Sequence, residues 1–237
     1  MSLRAVMAVC VALFAPGAAH AQFEMMSPML LQGPRIMFQD HADRFRSAPS
    51  GQAASPSRPG PEIDAASFRY RPDMARRRAN LARFVERSRA ADPRGADDLA
   101  ALFAQGDFIE RMRPELAKYG LAVDNLADAY TVWWIAAWQA SRGRSDDVSA
   151  TTAAAVRRQV VQSLASTPAF GSAGDAAKQE MAEALLVQGM LLAAALEQAK
   201  GDREQMAALS RAATQGARGM GIDLSAMSLT GKGFVPD

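Results

Sequence analysis

The sequence predicts a single all-α, bundle-like domain of about seven helices over residues 68–237, long enough at about 170 residues to build a proper core. Three observations carry that expectation. From Phe68 onward apolar residues recur at helical spacing. Acids, asparagine, prolines and glycines stand where helix starts and stops belong. No strand-like alternation of useful length interrupts the pattern.

Pro72 and Asp73 open the first helix, since proline suits a first turn and an acid suits the positive end of the helix dipole. Leu81, Phe84, Val85 and Ser88 give it one apolar stripe with arginines around it. A second helix runs from about Ala96 to Ala104 and stops at Gly106. Asp107 begins a third, which carries Phe108, Ile109, Met112 and Leu116 and ends at Gly120. The fourth, over 125–141, closes near Gly143 and holds all three tryptophans of the chain. A fifth opens over 146–149 and buries Val156, Val160, Val161 and Leu164. The sixth, over about 175–200, spaces Met181, Leu185, Leu192, Leu196 and Ala199 helically before Gly201. Its apolar centre, "ALLVQGMLLAAAL", has Gln188 in the middle and is too short for a membrane span. Asp202 with Gln205 resembles a capping box and starts a seventh helix that runs to about Gly219. The tail "GIDLSAMSLTGKGFVPD" is not helical by pattern. Ile222, Leu224, Met227, Leu229 and Phe234 make it too apolar to hang free, so a strap packed back onto the helices is expected.

The chain before residue 68 reads differently. Residues 1–21 carry the marks of a secretory signal: Arg4, a short apolar run, and Ala19-His20-Ala21 with small residues at the −3 and −1 positions. Pro16 and Gly17 break the run too early for a bilayer-spanning helix. The mature chain is therefore expected to start at Gln22, outside the cytoplasm, in the periplasm or secreted. Residues 22–67 read as a linker, disordered or loosely docked. "SAPSGQAASPSRPGPE" has no apolar period with which to offset its ordering entropy. "FEMMSPMLLQGPRIMF" is stickier but is interrupted by Pro28 and Pro34.

Cleavage would narrow the chemistry. Cys10 is the one cysteine, so the mature chain would have no disulfide, thiolate metal site or thiol nucleophile. Of two histidines it would keep His41, inside the linker. A Ser-His-Asp triad needs a rigidly held histidine, and zinc or di-iron sites generally need at least one. Neither a catalytic set, a metal site nor a cofactor is predicted, and the balance leans away from an enzyme.

Two groups of residues are candidate sites. Tyr130, Trp134 and Trp138 share one stripe of the fourth helix, and Trp133 lies about 100° away. The helix is apolar nearly all round, which favours the centre of a bundle. A tryptophan-lined groove for a sugar face, peptide or lipid is the functional alternative. On the core reading Trp134 and Trp138 face inward, against Leu185, Leu192 or Leu196, and Trp133 borders any groove. The second group is basic. Between Arg69 and Arg94 nine arginines stand against three acids, and Arg76, Arg77, Arg78 and Arg83 are the candidate contact with an anionic surface. A solvated face paired with neighbouring acids is the plainer reading. Removing Arg4 leaves a net charge of only +1, so the excess is local.

The remaining features have structural explanations. Asp128 fits the N3 position after an Asn125 cap. Glu180 and Glu183, three apart, fit a solvated helix face, since no histidine follows at di-iron spacing. Gly216, Gly219 and Gly221 follow no strand and serve helix termination, and "TGKG" lacks the rest of a phosphate loop.

Together "NLADAYTVWWIAAWQA", "DAAKQEMAEALLVQ" and "QGARGMGIDLSAMSLTGKGFV" resemble a family of exported bacterial proteins classed only as a domain of unknown function. The resemblance covers about residues 70–235 and implies export and a helical domain. It implies no activity and no catalytic residues. The expectation is thus an exported helical binding or interaction module of the cell envelope. Its partner would be another envelope protein, a glycan or an anionic lipid surface; nucleic acid fits poorly. The rivals are an enzyme acting on envelope glycan through Asp128, Glu180 or Glu183, and a structural envelope component.

Overall fold

A computed structural model describes residues 65–167, 170 and 173–237; the expected signal segment and nearly all of the expected linker lie outside the described residues. The described chain is all-α apart from one small hairpin. Its helices are α1 (Met74–Arg89), α2 (Pro93–Ala104), α3 (Phe108–Arg111), α4 (Arg113–Ala117), α5 (Leu126–Arg142), α6 (Ala150–Ala165), α7 (Asp175–Gln198) and α8 (Arg203–Gly219). One 3₁₀ turn, Ala65–Phe68, precedes α1, and another, Leu224–Ala226, leads into two short strands, β1 (Met227–Thr230) and β2 (Gly233–Pro236).

The caps explain where the helices begin. Asp73, Asp92, Asp107 and Ser149 each accept a hydrogen bond from the amide three residues on. Asn125 and Asp202 each take two first-turn amides. A lost cap of this kind costs about 1 kcal/mol. Asp92 with Pro93 starts α2 three residues earlier than the apolar pattern alone suggests. The expected third helix is split at Met112, because Pro114 has no N–H to continue the ladder and sits instead in the first turn of α4. Gly143, at φ +60°, closes α5 in the left-handed conformation that a glycine adopts without strain.

The core is built around α5 and α7, which pack on each other more extensively than any other pair. At Gly189 the α7 backbone comes so close that an added Cβ would lie 3.3 Å from Val132 and 3.4 Å from the Trp133 Cα. By length and composition alone the whole of α7, longer than its thirteen-residue apolar centre, could cross a membrane. Within this fold, however, 94% of its most apolar window is buried in the domain. α8 and α6 flank α5, and α1 packs on α2 and α7. The segment before α1 is stitched to the start of α5 and α7. Tyr70 bonds the Val123 carbonyl, the Asn125 amide donates to Ala65 and Lys178 donates to Ser67.

The expected C-terminal strap is a β-hairpin. β1 and β2 pair antiparallel, Ser228 opposite Val235 and Leu229 opposite Phe234, around a two-residue turn at 231–232. Strands of four residues are too short to produce a readable alternation, which is why the sequence predicts a strap without predicting its form.

Candidate functional site

The described residues offer two places where unusual side chains converge. The first is the aromatic face of α5 and the hairpin lying on it. Trp133 is 1% exposed and is one of the largest fully buried side chains, edge-on to Tyr130 at 5.6 Å. Trp134 is half-buried and stacks on Phe234, with ring centroids 4.6 Å apart and planes at 26°. Trp138, 7% exposed, meets the same phenyl ring at 6.2 Å.

This corrects the predicted ranking. Trp133 was the residue expected to border a groove, and it is the one sunk deepest. Trp134 and Trp138, expected to face α7, are instead the pair on which Phe234 of the hairpin sits. α5 is apolar on so many sides that helical phase cannot tell the side facing α7 from the side facing the strap. Burial also lifts the Tyr130 phenol above its usual pKa.

Polar clamps fix the hairpin in place. The Gln159 side-chain amide on α6 donates to the Phe234 carbonyl at 2.6 Å and accepts from the Phe234 N–H at 2.9 Å, much as a neighbouring strand would. The Trp138 indole N–H donates to the Met227 carbonyl at 2.9 Å. Arg142 lies over the Trp138 ring and donates to Met227, Ser225 and the Asp237 carboxylate.

The second place is an ion-pair network inside the α1–α7 contact. Arg77 is 1% exposed, so its assignment to an anionic contact surface is corrected: it faces inward. Its guanidinium meets Glu183 at 2.8 Å, Asp107 at 2.7 Å and Glu110 at 3.1 Å. Glu183, also 1% exposed, accepts further hydrogen bonds from Asn80 and Gln179. The expectation of a solvated Glu180/Glu183 face therefore fails for Glu183; Glu180, nearer the surface, pairs with Arg83 at 3.1 Å. Burial pulls the Arg77 pKa down, but the hydrogen bonds to Glu183, Glu110 and Asp107 outweigh it and the net shift is upward. Arg76, Arg78 and Arg83 do reach the surface, Arg76 only partly.

Asp128 is fully buried. Asn125 is the cap of α5 as expected, but the Asp128 carboxylate accepts from the Ala122 amide and pairs with Arg157, tying the preceding loop and α6 to α5.

Two of these acids are shifted in opposite directions. Hydrogen bonds from Arg113 and, less strongly, Arg77 hold Glu110 below the usual glutamate range. Burial holds Asp128 above the usual aspartate range, against the pull of Arg157 and the Ala122 amide. A depressed folded pKa contributes stability above the ordinary value, which is lost as pH falls through the folded one. A raised folded pKa does the reverse. Glu110→Gln should therefore flatten the acid limb of a pH–stability curve below about pH 4, whereas Asp128→Asn should steepen the curve just above about pH 4, where the folded chain would otherwise take up a proton on Asp128. Urea midpoints measured from neutral pH down to about pH 3 test both signs, and a Glu110→Gln limb parallel to wild type would contradict the first.

Chemically, the arrangement consumes its carboxylates. Asp128, Glu180 and Glu183 each face an arginine, and the described residues hold no group of three or more His, Cys, Asp or Glu placed for a metal ion. A small crevice between α1 and α7, lined by Asn80, Arg83, Phe84, Arg87, Glu180 and Glu183, is too narrow for more than a water-sized guest. None of the curated proteins and none of the solved structures matches the chain. A family model does, over residues 2–237: the chain belongs to a family of unknown function, DUF6683.

Proposed function

We propose that this DUF6683 protein is exported and works as a non-enzymatic interaction module of the cell envelope, docking on an anionic lipid surface through the solvent face of α1. One observation supports the reading above the others. Ala75, Ala79 and Ala82 form an exposed small-residue strip on α1, with Arg78 on one flank and Arg76 and Arg83 on the other. At its N-terminal end are exposed Arg71 and Met74, the one large hydrophobic side chain that the described residues leave exposed, at 46%. Arg71, Arg76 and Arg78 form no ion pair among the described residues. Of the acids nearby, Asp73 and Asp175 are engaged by the backbone amides of Arg76 and Arg71, Glu180 pairs with Arg83, and Glu86 is exposed one turn beyond Ala82. Arg77 behind this face anchors α1 to the core. Cationic side chains around a small apolar strip suit a negatively charged bilayer.

The glycan-enzyme alternative needs two carboxylates converging in an open cleft. Its three named acids are instead spent on arginines, two of them deeply buried. That weighs for the interaction module.

Each basic residue near an anionic bilayer contributes about 1 kcal/mol, so replacing Arg71, Arg76 and Arg78 together with glutamine should weaken binding to phosphatidylglycerol vesicles roughly a hundredfold. Thermal stability should hardly move, since none of the three is in an ion pair. Binding should also fall as added salt shortens the screening length. Co-sedimentation with anionic and with neutral vesicles measures it. Equal binding to both, or a triple variant that binds like wild type, would overturn the lipid reading.

A further inference from the structure

We propose that the cleft between the C-terminal end of α5 and the first turns of α8 binds a small aliphatic carboxylate: a head of single negative charge on a short apolar body. This site is separate from the arginine face of α1, and the two stand or fall independently.

The cleft has a volume of about 440 Å³, within the roughly 300–1,000 Å³ typical of small-molecule sites. Ala199, Met206 and Ala207 give it an apolar lining, and Gly143 and Gly201 border it without putting a side chain into it. The Met206 thioether lies against Gly143, where an added Cβ would stand 3.1 Å from its Cγ and 3.2 Å from its Sδ. A side chain at that helix end would push Met206 out of its place. Methionine is unbranched and polarisable, so it fits itself to an apolar guest.

The walls are fixed without a guest. The Ser210 hydroxyl donates to the Ala140 and Ser141 carbonyls at 3.0 and 2.9 Å, which ties α8 to the end of α5. Arg142 is held by the Met227 carbonyl and the Asp237 carboxylate. A site already in place has little ordering cost left to meet on binding.

Charge selects the head group. Three charged side chains line the cleft: Arg142, Asp202 and Arg203. Arg142 is matched by Asp237 at 2.9 Å. The Asp202 carboxylate accepts from the Glu204 and Gln205 amides as the cap of α8. Arg203 is exposed and enters no ion pair among the described residues. One cation is left over beside an apolar lining, which suits a monoanion with an aliphatic body better than a cation or a neutral molecule.

The test titrates sodium octanoate into the full chain and follows the methionine methyl signals by 1H–13C NMR, with Met206 assigned from Met206→Leu. Octanoate should shift the Met206 signal saturably. Acetate, which lacks the apolar body, and 1-octanol, which lacks the charge, should each bind at least about tenfold more weakly. Arg203→Gln should weaken octanoate binding roughly three- to tenfold without moving the thermal midpoint. Ala207→Trp, which fills the cleft from an exposed helix position, should abolish the Met206 shift. Replacing Arg71, Arg76 and Arg78 together should leave it unchanged, which keeps this site distinct from the lipid face. The absence of a saturable Met206 shift overturns the proposal. So does equal binding of octanoate and octanol, or octanoate binding that survives in a folded Ala207→Trp chain. If that variant does not fold, Arg203→Gln decides alone, and an unchanged affinity for octanoate overturns the proposal.

Discussion

Replacing Arg77 with methionine should destabilise the domain by about 3–5 kcal/mol, the cost of leaving a buried charge without its partner. Glu183 sits at the α1–α7 contact, 1% exposed, and would keep only the amide donors of Asn80 and Gln179. The reverse change, Glu183→Leu, should cost less. It leaves the guanidinium with Asp107 and Glu110, which are nearer solvent and able to hold it. The double variant Arg77→Met, Glu183→Leu removes both charges and puts apolar volume in their place. Such replacements are often neutral or better, so the double should be more stable than the Arg77→Met single. Urea denaturation of the three variants gives the ranking directly. A double variant whose loss equals the sum of the singles would mean that the two residues are not energetically coupled.

Arg77 and the arginines around it look alike in composition but differ in kind: removing Arg77 should affect folding, and removing Arg71, Arg76 and Arg78 should affect binding. A surface variant that lost several kcal/mol would place those side chains in the structural network as well.

The sequence already distinguishes Arg77 from its neighbours, though composition alone does not. Arg77, Leu81, Phe84, Val85 and Ser88 follow the i, i+4, i+7, i+8, i+11 spacing of one helix face, and all five are buried. Counting nine arginines in one stretch hides the one that lies in phase with the apolar stripe. Glu183 had no such signal, because α7 is buried on every side along most of its length and phase carries no information there. Helix ends were the most legible feature: Asp73, Asn125, Ser149, Asp202 and Gly143 all stand where local chemistry puts them. Pro114 was legible in principle, and its missing N–H explains the break the apolar pattern passed over. The hairpin's seat on α5 depends on residues about 75 apart, Gln159 with Phe234, and no local rule reaches that far. For the candidate groove, the aromatic stripe was readable, and what covers it was not.

Trp133→Ala should be the most damaging single truncation on the aromatic helix. Large-to-small changes in packed cores cost about 3–5 kcal/mol, depending on how far the surroundings collapse into the space. Collapse is restricted here. At Gly189 α7 lies so near α5 that an added Cβ would stand 3.4 Å from the Trp133 Cα, which leaves the helices little room to move closer. The cost should therefore lie toward the top of that range, enough to unfold a domain of ordinary stability near 5–15 kcal/mol or bring it close. Trp134→Ala should cost distinctly less, because that ring is half-exposed and loses mainly its stack on Phe234. Single-tryptophan chains extend the comparison to solution: iodide should quench Trp134 readily and Trp133 hardly at all. A Trp133→Ala chain with an unchanged midpoint, or equal quenching of the two indoles, would take Trp133 out of the core. The α5–α7 contact would then lose its largest side chain, and Tyr130 would lose the indole it meets edge-on.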